Sequence, residues 1–516
     1  PGTALHEGVD WNWETFPEFL DAIEKKDFVM DLGFMIGHGP LRSYVMGYER
    51  CQSQVDASEE EISKMSDLVT EAIESGALGF STSRTILHRD VHGVYVPGTE
   101  ASSEEMKSLA FAIDRAGEGT LEIVSDWLDK EIEMSWMKEY VEKSDCGLTV
   151  LQTSGDAVKT ILFCEEQFLK GKNVRPQFPG RNVGMMFGLE SSLHPFIGHP
   201  SYREIAELPL AERVKIMSDP AFKENLLKEK PNFASEIEKS MNEQGNAKSK
   251  EEIQEAASLG QKLISNYETQ FILGDPPNYE PGKEDSIAAL AKTKGISELE
   301  VIYDEFLKNE GTNLVYACFT PYDNHKLDFV ERAYSLKSSV AGGSDGGAHC
   351  GLICDASMPT TNLSHWARDR EAGKKIPIEL IVRKQTKDTA ETYGLFDRGE
   401  IKTGMIADLN IIDFENLNVT HPKMVYDLPM GGRRLIQNSF GYLATVKSGE
   451  VVYESGEATG VLPGKLIRGK QTCEVKAEKE KIPFVDRTFR LMSVKAFKLL
   501  WNLRKKPAKT TVVSGD

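Results

Sequence analysis

The sequence predicts a parallel α/β fold with a smaller β domain behind it, and three observations carry that prediction. Short apolar runs alternate with amphipathic stretches of helical period over about the first 390 residues. Strand–helix alternation at this scale means a (β/α) barrel or a doubly wound sheet. Polar residues collect directly after the apolar runs, where both architectures place their sites. Beyond about residue 395 the pattern changes to short strands and turns.

The elements follow in order. Met30 to His38 reads as a strand ending on Gly-His-Gly. Glu59 to Ser75 carries Ile62, Met65, Leu68, Val69 and Ile73 at helical spacing. Gly76 to Phe80 is a short strand running into Ser81-Thr-Ser-Arg-Thr85. Ser103 to Gly117 is a helix with Ser103 as its N-cap. Leu121 to Val124 is a strand ending on Ser125 and Asp126. Leu148 to Leu151 ends on Gln152, and Val174 to Gln177 is short with a polar end. Leu314 to Phe319 reads as the penultimate strand of the sheet and Ser338 to Gly343 as the last.

These elements divide the chain. Residues 1–394 form the main domain, with 200–310, rich in Glu and Lys and broken by a Pro-rich stretch at Gly274 to Pro281, a helical insertion or lid. Residues 395–469 form a small β domain, in which Tyr442 to Tyr453 is a hairpin turning on Ser448 and Gly449. Residues 470–516 are a basic tail, with Ala496 to Leu503 an amphipathic helix.

Composition sets the outer limits. Of 516 residues, 40% are hydrophobic and 27% charged, the mixture of an ordinary globular protein. The net charge of −19 argues against nucleic-acid binding and against adhesion to anionic membranes. No apolar run reaches the roughly 18 residues of a membrane span. Seven cysteines occur without a Cys-x-x-Cys pair, which suits a reducing compartment and predicts a cytoplasmic protein.

The most informative stretch is Gly342-Gly-Ser-Asp-Gly-Gly-Ala-His349. Two glycines release the backbone where the last strand stops, and an acid follows. At that position Asp345 can bind a metal or take a proton from a metal-bound water. Read on its own, the same stretch is equally a Gly-rich turn whose Asp caps the next helix. His349 lies within reach of Asp345 or of a substrate. His38, after a strand, is a substrate contact or a turn histidine. Arg84 is a fork for a substrate carboxylate or a partner in a structural ion pair.

Several segments together carry a resemblance. They are Gly8 to Phe19, Gly37-His-Gly-Pro-Leu-Arg42, Gly76 to Thr85, Ser192-Leu-His-Pro195, Gly342 to His349, His365-Trp-Ala-Arg-Asp-Arg370, and Arg398-Gly399 followed by Gly404-Met-Ile-Ala-Asp-Leu409. In this order they make the chain resemble the N-acyl-D-amino-acid deacylases (D-aminoacylase-like enzymes) of the amidohydrolase superfamily. The resemblance implies a metal-dependent (β/α)₈ barrel with a small flanking β domain. It implies hydrolysis of a linear amide by zinc-bound hydroxide, with Asp345 as metal ligand and proton shuttle, and a small N-acyl amino acid as substrate. The family's His-x-His and Gly-Asn-Cys-Gly motifs have no counterpart here. The expectation is that an upstream segment holds them, together with two barrel strands and most of the metal ligands. Family members also present histidines after two middle strands, where this chain has Gln152 and Gln177. Glutamine is a poor zinc ligand, so one ion is expected rather than two, with both glutamines turned to substrate. The alternatives are an amidohydrolase acting on a cyclic amide or ureide, and an inactive member that binds a metabolite. A homo-oligomer is compatible with all of these.

Overall fold

The computed structural model describes residues 8–89, 94–127, 129–153, 158–234, 257–258, 260–347, 349–473 and 490–495. The helix expected from Ala496 to Leu503 and most of the basic tail lie outside them.

The first five strands are β1 (Ile36–Gly37), β2 (Gly79–Arg84), β3 (Thr120–Ser125), β4 (Gly147–Leu151) and β5 (Val174–Pro179). Each pairs in parallel with the next. The chain then leaves the sheet. It forms β6 (Val183–Phe187), β7 (Gln270–Ile272) and β8 (Val315–Thr320), which make a separate antiparallel sheet ordered β6-β8-β7. It returns as β9 (Val340–Gly342), which pairs in parallel with β5 through Gln177–Val340 and Pro179–Gly342. The described sheet therefore holds six parallel strands in the order β1-β2-β3-β4-β5-β9. The run from Leu314 to Phe319 is not its penultimate strand. An apolar run reports burial but not partners, and β8 buries its residues against β6 and β7 instead.

Period-two alternation gives the parallel sheet two different faces. Phe80, Leu121, Leu148 and Val174 fall in one register row and are buried. With Ile123 and Val150 they pack on the helices Glu59–Glu74, Ser103–Ala116 and Lys130–Lys143, through Val69, Ile73, Leu109, Ile113, Met137 and Tyr140. Each such side chain removed from water contributes about 1.5–3 kcal/mol. The next row is polar and contains Ser81, Glu122 and Thr149. This face lines the interior of the sheet. The helices start where their caps dictate. Ser58 and Glu61 form a reciprocal capping box. Ser102, not Ser103, caps the helix that follows, its hydroxyl accepting from the Glu105 amide.

The excursion between β5 and β9 covers residues 180–339, wider than the 200–310 read from composition, and includes strands as well as helices. Its helices Pro200–Ile205, Leu210–Met217, Ile287–Lys294 and Glu298–Phe306 close over Phe196, Tyr202, Ile302 and Phe306. His194 sits in that core, its ring edge-on to Tyr202 and its Nδ1 accepting from the Phe196 amide. Burial, reinforced by the charges of Arg213, Arg433 and His199, pushes the His194 pKa down from 6.5 to about 3. Between those pH values the unfolded chain binds a proton that the folded chain refuses. Stability contributed by the neutral ring is therefore complete above pH 6.5 and lost as pH falls toward 3, by roughly 1.4 kcal/mol per pH unit. Chemical denaturation at pH 7, 5 and 4 is expected to show this decline, and His194→Phe to flatten it.

The C-terminal strands are β10 (Leu409–Ile412), β11 (Asn418–Val419), β12 (Lys423–Leu428), β13 (Gly432–Ile436), β14 (Ser439–Phe440), β15 (Tyr442–Lys447), β16 (Glu450–Glu454) and β17 (Glu457–Ala458). Four of them form an antiparallel sheet ordered β10-β15-β16-β17. The β15–β16 turn falls on Ser448 and Gly449, at φ 53° and 87°, the conformation such a two-residue hairpin turn requires. Asp31 ties this region to the front of the chain by accepting from Arg398 NH1 (2.6 Å) and pairing with Lys447 Nζ (3.1 Å). Among the described residues no helix is long and apolar enough to cross a membrane.

Candidate active site

The carboxyl ends of β2, β3, β5 and β9 carry the polar groups. Asp345 lies on the loop leaving β9, with glycines on both sides, and is exposed. Asp345 and His349 hold φ values of 38° and 45°. Such left-handed conformations cost a non-glycine residue of order 1–3 kcal/mol and persist where the surroundings impose them. His349 is also exposed, and its carbonyl accepts from the amides of Leu352 (2.7 Å) and Ile353 (2.9 Å).

A third group joins them from β2. His88 follows that strand, and its Nδ1 lies 2.6 Å from the Ser83 hydroxyl. Its pKa is lowered, first by the desolvation of its ring and then by the His349 charge, while Asp345 and Asp126 oppose the shift. His88 nonetheless has an exposed surface. β2 and β9 are separated in the sheet by three strands, yet their loops act on one another. The sheet is concave on this face, since Glu122 of β3 and Gln177 of β5, two strands apart, converge on the one Tyr393 hydroxyl.

Beneath the mouth, Glu122 accepts from the Tyr393 hydroxyl (2.8 Å), which in turn accepts from Gln177 Nε2 (2.9 Å). Burial raises the Glu122 pKa, the Tyr393 and Gln177 hydrogen bonds oppose this, and the Asp345 charge adds to the rise. Gln177 thus faces the interior, its Oε1 lying where a side chain on Gly342 would be. Gln152, in phase with Leu148 and Val150, is buried. Its Nε2 donates to the Leu151 carbonyl (2.7 Å), and its Oε1 has no partner among the described residues.

Two expected substrate contacts are placed elsewhere. His38 is 2% exposed, and its ring nitrogens are taken by Thr82 Oγ1 and Glu105 Oε1, each at 2.8 Å. Arg84 donates to Glu133 (2.7 Å) and to the Ala101 carbonyl (2.9 Å). The cause is strand phase. Thr82 and Arg84 share the face of Phe80, which is turned to the helices, whereas Ser81 and Ser83 share the face of Glu122. Arg368 and Arg370 are also committed internally, to backbone carbonyls near Leu417 and to Glu280 respectively.

The sequence reading missed Glu122, Tyr393, His88 and the pair Arg181–Asp355. A carboxylate inside the apolar run Leu121-Glu-Ile-Val124 was the available signal for Glu122. Arg181 leaves β5 and is buried. Its NH2 reaches Asp355 Oδ1 (3.1 Å) and the Cys354 carbonyl (3.0 Å), and its guanidinium lies over the Tyr279 ring at 3.5 Å. Arg181 Nε and NH1 and Asp355 Oδ2 have no protein partner among the described residues. Burial raises the Asp355 pKa to about 6 against the Arg181 charge, with Asp345 adding to the rise.

A zinc site needs three or more such donors around one point. Among the described residues no group of three His, Cys, Asp or Glu side chains could hold an ion. The described residues do not by themselves fit the metal that the family resemblance implies.

Comparison with known proteins agrees with the residues that carry that resemblance. Residues 277–453 match a family model described as the amidohydrolase family. The chain is 25% identical over 416 residues to the D-aminoacylase of Alcaligenes xylosoxydans, covering 80% of this chain and 67% of that one. An uncharacterized protein of Mycobacterium tuberculosis is 24% identical over 477 residues, covering 87% and 72%. A solved D-aminoacylase structure aligns at 18% identity over 88% of this chain and 75% of that one, with a TM-score of 0.49. An N-acyl-D-glutamate deacylase from Bordetella bronchiseptica, complexed with zinc and a phosphonate inhibitor, aligns at 16% identity over the same shares, also with a TM-score of 0.49. Over residues 277–453 the chain is thus similar to the amidohydrolase family. Over most of its length it is similar to a D-aminoacylase.

Proposed function

We propose that the protein hydrolyses the amide bond of N-acyl-D-amino acids, with Asp345 as the proton carrier. The observation that supports this reading is the placement of Asp345: an exposed carboxylate, in a left-handed backbone conformation, at the carboxyl end of the last parallel strand. From there its carboxylate takes a proton from the attacking water. It then returns that proton to the leaving nitrogen, so that the C–N bond breaks and an amine leaves. The interior Glu122–Tyr393–Gln177 chain holds the floor beneath the reacting groups. We read the six-stranded sheet as part of a (β/α)₈ barrel, since its parallel sequential order and its concave face are those of one. Zinc remains the family's expected cofactor, but no step is assigned to it on these residues.

The test is amine release from matched N-acetyl-D- and N-acetyl-L-amino acids with zinc added. Hydrolysis of the D-series supports the proposal, and hydrolysis of a cyclic amide or ureide alone replaces it. One observation favours a second reading, an inactive member that binds a metabolite. Gln152 and Gln177 stand at strand ends, and no trio of metal donors is present among the described residues. Ligand-induced thermal stabilisation without turnover would support that reading.

A further inference from the structure

We propose that His88 is a second substrate-contacting residue of this mouth, presenting Nε2–H to the carbonyl oxygen of the scissile amide as it becomes an oxyanion. This rests on the amide-hydrolase reading given above and adds a residue to it.

The placement of His88 begins with Ser83. Ser83 pairs with Val124 one step beyond the Thr82–Ile123 pair, so it lies on the interior face that also carries Ser81 and Glu122. Its hydroxyl engages His88 Nδ1 at 2.6 Å. The Ser83 contact is compatible with either tautomer, and the role proposed here uses the one in which the hydroxyl donates to Nδ1 and the ring proton sits on Nε2, directed away from Ser83. The described residues on either side of the ring are held by hydrogen bonds. The Val96 amide donates to the His88 carbonyl (3.1 Å), the His88 amide to the Thr85 carbonyl (3.3 Å), and the Ile86 amide to Asp126 Oδ2 (2.8 Å). A donor held this way needs little reorganisation when charge appears on a substrate oxygen, which is the condition for effective oxyanion stabilisation.

The second half of the argument is what faces it. Asp345 and His349 follow β9 and His88 follows β2, so all three leave the carboxyl edge of one parallel sheet, whose interior face is concave because Glu122 and Gln177 converge on the Tyr393 hydroxyl. All three side chains have exposed surface at the mouth. A planar amide placed between them meets Asp345 on the side of the attacking water and His88 at its oxygen. No proton leaves His88 in this role. It donates a hydrogen bond that strengthens as the C=O bond becomes a C–O single bond, while Asp345 carries the transferred proton.

The experiment uses the full chain and the D-substrate. His88→Ala is expected to lower kcat by about 10²–10³-fold with KM changed less than about threefold. Its affinity for a phosphonate analogue of the tetrahedral intermediate should fall by the same factor as kcat/KM. His88→Asn, which keeps an N–H donor, should recover part of the loss. Ser83→Ala should lose about tenfold, because the ring loses its tether but not its donor. An unchanged kcat in His88→Ala, or a loss confined to KM with phosphonate affinity intact, overturns the inference while leaving the amide-hydrolase reading in place. A wild-type protein that releases no amine from either enantiomer overturns both.

Discussion

Glu280→Ala is expected to lower the free energy of unfolding by about 3–5 kcal/mol, the cost of leaving a buried charge without its partner. Four donors converge on this one carboxylate, which is 7% exposed. Arg370 reaches it twice, through Nε at 2.9 Å and NH2 at 3.0 Å, in the bidentate geometry that arginine makes best. His365 Nε2 lies at 2.8 Å and the Leu327 amide at 3.1 Å. Burial alone would raise the Glu280 pKa, but the hydrogen bonds and charges of His365 and Arg370 win and hold it at about 2. The Arg370 side chain is fully buried and stacks on Trp366 at 4.4 Å. With Glu280 gone, Glu331 alone would face that cation. The cluster joins the Pro-rich stretch of the excursion to the π-helix Asn362–Asp369, whose Trp366 donates to the Gly180 carbonyl just beyond β5 (2.6 Å). Loss of Glu280 therefore loosens the frame around the mouth as well. Urea unfolding of wild type and variant measures it, and a difference below about 1 kcal/mol would contradict this account. Because the Glu280 pKa is depressed, its contribution is present above pH 4.5 and lost as pH falls toward 2, in the same direction as the His194 effect.

Asp345→Asn is expected to lower kcat by about 10²–10⁴-fold, the usual contribution of a positioned proton carrier. Asparagine is the replacement that isolates the chemistry. It keeps the shape and tolerates the positive φ that most residues resist, so the loop can stay as it is. The exposed position means that little packing is removed. The variant should thus keep the wild-type melting temperature while losing turnover. An Asp345→Asn protein that turns over at the wild-type rate would remove Asp345 from the mechanism.

Much of the parallel sheet was legible because its strands are buried on the helix side and carry strong apolar signals. Leu121, Leu148 and Val174 marked β3, β4 and β5 to within two residues at either end. The helices at 59 and 103 were equally clear from their apolar period, although the cap of the second is Ser102 and not the expected Ser103. Pairing partners were not legible. Nothing in Leu314-Val-Tyr-Ala-Cys-Phe319 distinguishes a strand of the main sheet from one of the small antiparallel sheet. The strand expected from Met30 to His38 shrinks to Ile36–Gly37, since His38 already begins the helix His38–Met46.

Asp345 stood out in the sequence because it is an acid alone among glycines at the end of a strand. The site was misread where the phase of a strand decides the outcome. In Ser81-Thr-Ser-Arg84 the eye goes to arginine. Alternation sends Arg84 to the helix face and Ser83 to the interior, and Ser83 is what holds His88 in place. Glu122 and Tyr393 lie 271 positions apart, and only the fold brings them together.

The most direct measurement is the rate of amine release by wild type and Asp345→Asn, side by side, from one N-acetyl-D-amino acid and its L-enantiomer. The account predicts turnover of the D-substrate by wild type, little or none of the L-substrate, and loss of the D-activity in the variant. Equal activity in the two proteins, or hydrolysis of the L-enantiomer alone, would contradict it.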